Sequence, residues 1–381
     1  MGKKFKYLDK TLLIVSVILF IIGLVMIFSA SNVTAYMTHA KSPYSYFIRQ
    51  SIFLAIGVVL FFVMIVFNTK TYGKVSYLLL LGVIAALIGV LFYGSIRNQA
   101  KSWFQISNFT IQPSEFAKVI TIVYLAEYYD SHKKKLDGWI RTLLPIGICI
   151  AIAILIFIEP DLGTTIIYSL IVMAIFFAVP MSKQIKGKIS LLTILLMISM
   201  VALIMGPGKS ILQDRQLERF DFTNPCEKIL GDGNQVCNCY IAINNGGLTG
   251  VGLGNSTQKY LYLPEPYTDF IFAIIVEELG VIVGVIIILL FALVIYRIII
   301  IGKRSPNNRG ATICYGVAIY LILHIAINLL GIMGLMPMTG VPLPFMSYGG
   351  SYTICLIAAL TLVQRVSIEN GLLNEKSVKN A

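Results

Sequence analysis

Charge is what this sequence has least of. Only 13% of its 381 residues are Asp, Glu, Lys or Arg, while 57% are hydrophobic; soluble domains run near about 25% charged. That scarcity excludes a soluble globular chain. Histidine is rarer still, three in all, and none lies near Cys226, Cys237 and Cys239, which argues against a zinc site there. No clear metal-binding set stands out elsewhere. P-loop and dinucleotide fingerprints are missing too: the glycine-rich stretch Gly246 to Gly254 has the wrong spacing and no strand before it. No inverted repeat is visible, which weighs against a transporter. The first apolar run follows Lys3, Lys4, Lys6 and Lys10. It is too long for a signal-peptide h-region and is expected to remain as an anchor.

What is present is a succession of apolar runs of about 20 residues, the length that crosses a bilayer as a helix. Ten spans are expected, near 11–30, 49–67, 75–95, 114–130, 142–158, 162–180, 189–206, 269–300, 311–336 and 350–366. Backbone polar groups must be satisfied inside lipid, so the fold class is an all-α polytopic membrane protein. The net charge of +12 follows topology rather than a nucleic-acid partner. With the N-terminus inside, Lys70, Lys74, Lys133–Lys135, Arg141, Lys183, Lys186, Lys188, Arg297, Lys303, Arg304, Arg309, Arg365, Lys376 and Lys379 fall inside as well. The short outer loops keep Lys41, Arg49, Arg97, Lys101 and Lys118. The positive-inside rule then puts both termini in the cytoplasm. One long outer loop, 207–268, lies within what is otherwise a single membrane domain spanning 1–381. On an oxidising face Cys226 can pair with Cys237 or Cys239; in a reducing niche all three stay free.

Because the spans are so clean, their polar residues are functional candidates. "QPSEFAK" (112–118) starts a helix with Pro113, and places Glu115 and Lys118 three residues apart. This is either an ordinary capping ion pair or a buried pair that aligns a site. "IEPDLGTT" carries Glu159 and Asp161 in a tight turn, as turn formers or as a site wall. The glycines from Gly246 to Gly254 allow close backbone approach, and Lys259 follows them. Asp269 stands where a polar loop becomes an apolar helix, as a dipole-stabilised acid or a general base. On a helical wheel of about 100° per residue, Glu277 lies about 80° and Glu278 about 180° from Asp269. Glu277 is then the better wall of a shared groove, and Glu278 faces another helix. "MPMTGVPLPFMSYGGSY" (336–352) reads as a re-entrant loop beside a polar site. His324 and Asn328 share one helical face and are expected to form a hydrogen-bonded packing pair.

Taken together, "TGVPLPFMSYGGS", "LPEPYTDFIFAIIVEELG", "QPSEFAK" and "EPDLGT" resemble the SEDS family (shape, elongation, division and sporulation). The similarity runs along nearly the whole chain. Within the family, "GGLTGVGLGNSTQKYLYLPEP" is most similar to the FtsW and SpoVE branch, with the RodA branch next. The resemblance implies a peptidoglycan glycosyltransferase of the bacterial plasma membrane. It would polymerise lipid II during septal wall synthesis, alongside a class B penicillin-binding protein and other division or elongation proteins. It places the catalytic aspartate at Asp269, taking a proton from the acceptor sugar's 4-hydroxyl, with inversion and release of undecaprenyl pyrophosphate. Arg49, Arg219 and Lys259 are the cations offered to the pyrophosphate, and a divalent cation, Mg2+ or Mn2+, can share that task. Glu115, Lys118, Glu277 and Ser347 would support the cavity. Ser102 stands before Trp103 where the family more often has Arg, so Lys101 is the substitute cation. An elongation polymerase, a lipid II flippase and a non-catalytic scaffold are the competing readings.

Overall fold

The structure, a computed structural model, describes residues 5–39, 42–97, 100–106, 109–133, 139–178, 187, 225–227, 232–260 and 262–380. Ten helices account for most of them: α1 (Lys10–His39), α2 (Ser45–Met64), α3 (Thr69–Tyr93), α4 (Pro113–Ser131), α5 (Trp139–Ile158), α6 (Leu162–Ala178), α7 (Asp232–Gly246), α8 (Ile271–Lys303), α9 (Asn308–Ile332) and α10 (Gly350–Asn380). Nine of the ten expected spans coincide with a helix. The tenth, 189–206, lies outside the described residues, as does Arg219. Between α3 and α4 the chain forms a small antiparallel sheet, β1 (Ser95–Arg97), β2 (Ala100–Ile106) and β3 (Phe109–Ile111). The sequence offered no sign of it, because an apolar-run count is blind to short strands.

Among the described residues, seven helices are long and apolar enough to cross a membrane. Helix α4 is not among them, because it carries Glu115, Lys118, Glu127 and Asp130. Its position explains how it tolerates them. Fifteen of its nineteen residues are buried, and α3, α5, α6, α9 and α10 pack around it, so its charges meet protein rather than lipid.

Ion pairs tie the helices together at one end of the bundle. Asp9 accepts from Arg297 of α8, and Gln364 of α10 donates to the Asp9 carbonyl. Arg309 pairs with Glu127 and Asp130 of α4. Arg365 binds Glu369 and the carbonyl of Ile65. Asp9 immediately precedes α1, and toward the other end of α1 and α8 Ser29 of α1 donates to Glu278 of α8 at 2.7 Å.

Helix α8 is not continuous, although the sequence suggested an unbroken run. Gly280 breaks it with φ 87° and ψ 164°, a conformation open essentially to glycine alone. The freed backbone groups bond to the glycine-rich loop. Val251 and Gly252 donate to the carbonyls of Glu277 and Glu278, each at 3.0 Å, and Val281 donates to Gly247 at 3.0 Å. A side-chain carbon at Gly246, Gly250 or Gly280 would run into the backbone opposite, so the glycines are what permit this seam. Gly280→Ala is expected to destabilise the protein by on the order of 1–3 kcal/mol from the backbone conformation alone, seen as a lower thermal midpoint in detergent.

Candidate functional site

Asp269 lies in the turn that leads into α8, half-buried, just before the Phe270 N-cap. It therefore sits outside the helix, and the wheel angles expected between it and the two glutamates do not apply. Its backbone is held firmly. The carbonyl of Tyr267 accepts from Tyr348 N at 2.9 Å, that of Thr268 from Ser347 Oγ at 2.7 Å, and that of Asp269 from Asn328 Nδ2 at 2.9 Å. Ser347 Oγ also accepts from Leu343 N at 2.8 Å. Three successive carbonyls are thus fixed by the segment between α9 and α10 and by α9 itself. That segment is mostly buried from Val341 to Ser347, as irregular backbone at membrane depth must be. Gly340, at φ 70°, turns the chain beside the carboxylate: a side-chain carbon there would stand 3.5 Å from Asp269 Oδ2.

An aromatic cluster borders this turn. Tyr267 donates to Tyr46 at 3.1 Å, and the rings of Tyr46 and Tyr348 meet edge-on at 5.1 Å. Tyr46 opens α2. Arg49, three residues on, shares that side of the helix and is half-buried. Gln50 ties α2 to the same loop, accepting from Gly349 N at 3.3 Å and donating to Thr353 at 2.9 Å. Among the described residues no ion pair engages Arg49.

Glu115 and Lys118 form a buried pair at 2.9 Å, with side chains 4% and 1% exposed, so this is no surface helix cap. Lys118 Nζ also lies 3.0 Å from His324 Nε2. Nearby, Gln112 donates to Asp161 at 2.8 Å, while Asp161 Oδ1 caps α6 by accepting from Thr164 N at 3.0 Å. Asp161 thus serves the turn. Glu159 does not. It is fully buried, and neither carboxylate oxygen has a hydrogen-bond partner among the described residues. Burial, helped by the negative charge of Asp161, pushes its pKa up from 4.5 to about 8. The folded state then holds a proton that the unfolded state has released, so stability falls as pH rises from about 4.5 to about 8 and levels off beyond. Glu159→Gln is expected to flatten that slope in thermal melts taken across the range.

The remaining acids and cations hold structure together. Glu277 is buried and accepts from Ser256 Oγ, from Thr257 Oγ1 at 2.8 Å and from Thr257 N at 3.2 Å. It anchors the glycine-rich loop. Lys259 Nζ donates to Gly254 O at 2.6 Å, Glu278 Oε1 at 3.0 Å and Ser29 Oγ at 3.4 Å. All three of its hydrogens are engaged. Lys101 closes the end of α3 by donating to the carbonyls of Leu91 and Phe92 at 2.7 and 3.1 Å. Cys226 and Cys237 form a disulfide, and Cys239 is buried and free. Among the described residues no three His, Cys, Asp or Glu side chains come together to hold a metal.

The sequence reading missed Ser29, Gln50 and the break at Gly280, and misassigned His324 and Asn328. Those last two bond to the 341–342 backbone instead of to one another. Two polar residues one turn apart in an apolar helix were the signal; nothing in the sequence names their acceptor.

A family profile described as "Cell cycle protein", covering FtsW, RodA and SpoVE, matches residues 9–371. The chain is 34% identical over 370 residues to the probable peptidoglycan glycosyltransferase FtsW of Bacillus subtilis, covering 96% of this chain and 92% of that one. It is 36% identical to stage V sporulation protein E of the same organism, covering 94% and 96%. Among solved structures it superposes on a chain of a peptidoglycan synthase complex with a TM-score of 0.75 at 22% identity, covering 95% and 98%. It also superposes on the rod shape determining protein RodA of Thermus thermophilus with a TM-score of 0.66 at 23% identity, covering 94% and 96%. Profile, relatives and fold agree along nearly the full length: this chain belongs to the FtsW/RodA/SpoVE family of polytopic membrane proteins.

Proposed function

We propose that this protein is a peptidoglycan glycosyltransferase that polymerises lipid II at the outer face of the bacterial plasma membrane, with Asp269 as general base. The carrying observation is the carboxylate of Asp269. It is half-buried at the end of the bundle opposite the Asp9, Arg309 and Arg365 ion pairs, and its backbone is fixed at three consecutive carbonyls. The cytoplasmic assignment of both termini rests on the lysines and arginines gathered at the ion-paired end. Asp269 would accept the proton of the acceptor sugar's 4-hydroxyl as that oxygen attacks the donor's anomeric carbon. The bond from that carbon to the pyrophosphate oxygen breaks, the configuration inverts, and undecaprenyl pyrophosphate leaves with the electron pair. Arg49, near the start of α2 beside the tyrosine cluster, supplies a cation for the developing charge. Lys259, saturated by Gly254, Glu278 and Ser29, has none to spare. The relatives' names favour septal synthesis, and the fold shared with a synthase complex favours a class B penicillin-binding protein as partner.

The test uses the full chain with that transpeptidase in lipid bilayers and labelled lipid II. Glycan strands on a gel support the proposal. Absence of strands from an intact complex, with lipid II crossing vesicle membranes instead, overturns it in favour of transport.

A further inference from the structure

His324 and Asn328 lie four residues apart on α9 and so share one helical face. Both are buried in a helix that is otherwise mostly apolar, at 0% and 5% exposure. Their bonds converge on two consecutive carbonyls of the segment between α9 and α10. Asn328 Nδ2 donates to Val341 O at 2.8 Å and to Asp269 O at 2.9 Å. Both hydrogens of its amide are thereby spent, and they bridge the loop to the catalytic turn. His324 Nδ1 lies 3.2 Å from Pro342 O.

Chemistry fixes the tautomer of this histidine. The Lys118 ammonium has hydrogens and no lone pair, so His324 Nε2, 3.0 Å away, must accept from it. The ring proton then sits on Nδ1 and is donated to Pro342 O. A second proton on the ring would set an N–H against the ammonium. Lys118 is in turn held by Glu115. The result is a continuous brace from α4 through Lys118 and His324 to residue 342, beside a second bridge from Asn328 to residues 341 and 269. Gly340, whose turn faces Asp269 Oδ2, lies one residue before the clamped pair.

We infer that His324 and Asn328 are positioning residues: they set the Asp269 carboxylate against the Gly340 turn, with the Glu115–Lys118 pair as the brace behind His324. The inference rests on the glycosyltransferase reading given above. Misplacing a catalytic group by about 1 Å costs on the order of 100-fold in rate. Asn328→Ala is therefore expected to lower kcat roughly 10- to 100-fold, with KM for lipid II within about twofold of wild type, because Asn328 acts on Asp269 rather than on substrate. His324→Gln keeps one donor and one acceptor and should retain activity within about threefold, whereas His324→Leu keeps neither and should fall with Asn328→Ala.

The assay is lipid II polymerisation by the full chain with its transpeptidase in bilayers. Wild type and Asp269→Asn run in parallel, and thermal midpoints and co-purification report folding. Should Asn328→Ala unfold, the two His324 variants decide. An active wild type with a silent Asp269→Asn, but full-rate Asn328→Ala and His324→Leu, overturns this inference alone. So does a loss confined to KM, or His324→Gln falling as far as His324→Leu. An inactive wild type removes the function reading instead.

Discussion

Asp269→Asn should abolish strand formation while leaving the protein folded and bound to the proposed transpeptidase partner. The amide is nearly isosteric with the carboxylate, and the substitution does not touch the bonds that the backbone carbonyls of residues 267, 268 and 269 accept. What it removes is the capacity to take a proton. General-base catalysis by a positioned side chain contributes roughly 10²–10⁴-fold, so initial rates should fall by that factor, with KM little changed. Asp269→Glu, one methylene longer, keeps the base but moves it toward Gly340 and should be slower than wild type and faster than Asp269→Asn. The measurement is the initial rate of glycan formation, with complex stability checked by co-purification. An Asn variant within about threefold of wild type would remove Asp269 from the role of base.

The largest loss of stability is expected from Glu278→Ala. Its carboxylate and the Lys259 ammonium are 0% and 1% exposed and 3.0 Å apart. Removing one member of such a pair leaves an uncompensated buried charge, at a cost of about 3–5 kcal/mol. The Gly254 carbonyl and Ser29 hydroxyl that remain to Lys259 carry no net charge. Replacing both partners with apolar side chains, Lys259→Met with Glu278→Leu, removes the orphaned charge and should recover much of the loss. Thermal melts of the single and double variants test this directly. A Glu278→Ala protein that melts with wild type would mean that the pair contributes nothing to stability. The same geometry bears on catalysis: a pyrophosphate could reach Lys259 only by displacing Glu278 from it.

Most of the architecture was legible because the bilayer imposes one rule on every span. A run of about 20 apolar residues must be a helix, and α1 to α3 or α9 follow from that rule alone. The rule failed where local chemistry intervened. Nothing in "VEELGVIV" distinguishes a helix broken at Gly280 from an ordinary glycine in a span, because the break is stabilised by a partner loop some thirty residues earlier. The wheel angles drawn from Asp269 failed for a related reason: the helix begins two residues after it. Asp269, Glu115 and Lys118 stood out as charges in apolar surroundings. Lys259 stood out equally, and only three-dimensional contacts show its ammonium closed off by Glu278, Gly254 and Ser29. Sequence could identify these charges but not say which of them were already neutralised.

The paired contacts along α1 and α8 have a consequence for the lipid around them. Asp9 meets Arg297, and Ser29 meets Glu278. At about 1.5 Å of rise per residue, α1 and the residue before it separate Asp9 from Ser29 by roughly 30 Å, close to the hydrocarbon thickness of about 30 Å of a typical bilayer, and α8 covers the same interval with its break at Gly280. The two contacts thus stand about one hydrocarbon thickness apart along the helix pair, one toward each end. A bilayer of shorter or longer acyl chains meets this spacing as hydrophobic mismatch, and must itself thin or thicken, or tilt the helices. The Ser29 and Glu278 contact also holds Lys259, so the end of α8 that meets the glycine-rich loop is also the end from which the Asp269 turn emerges.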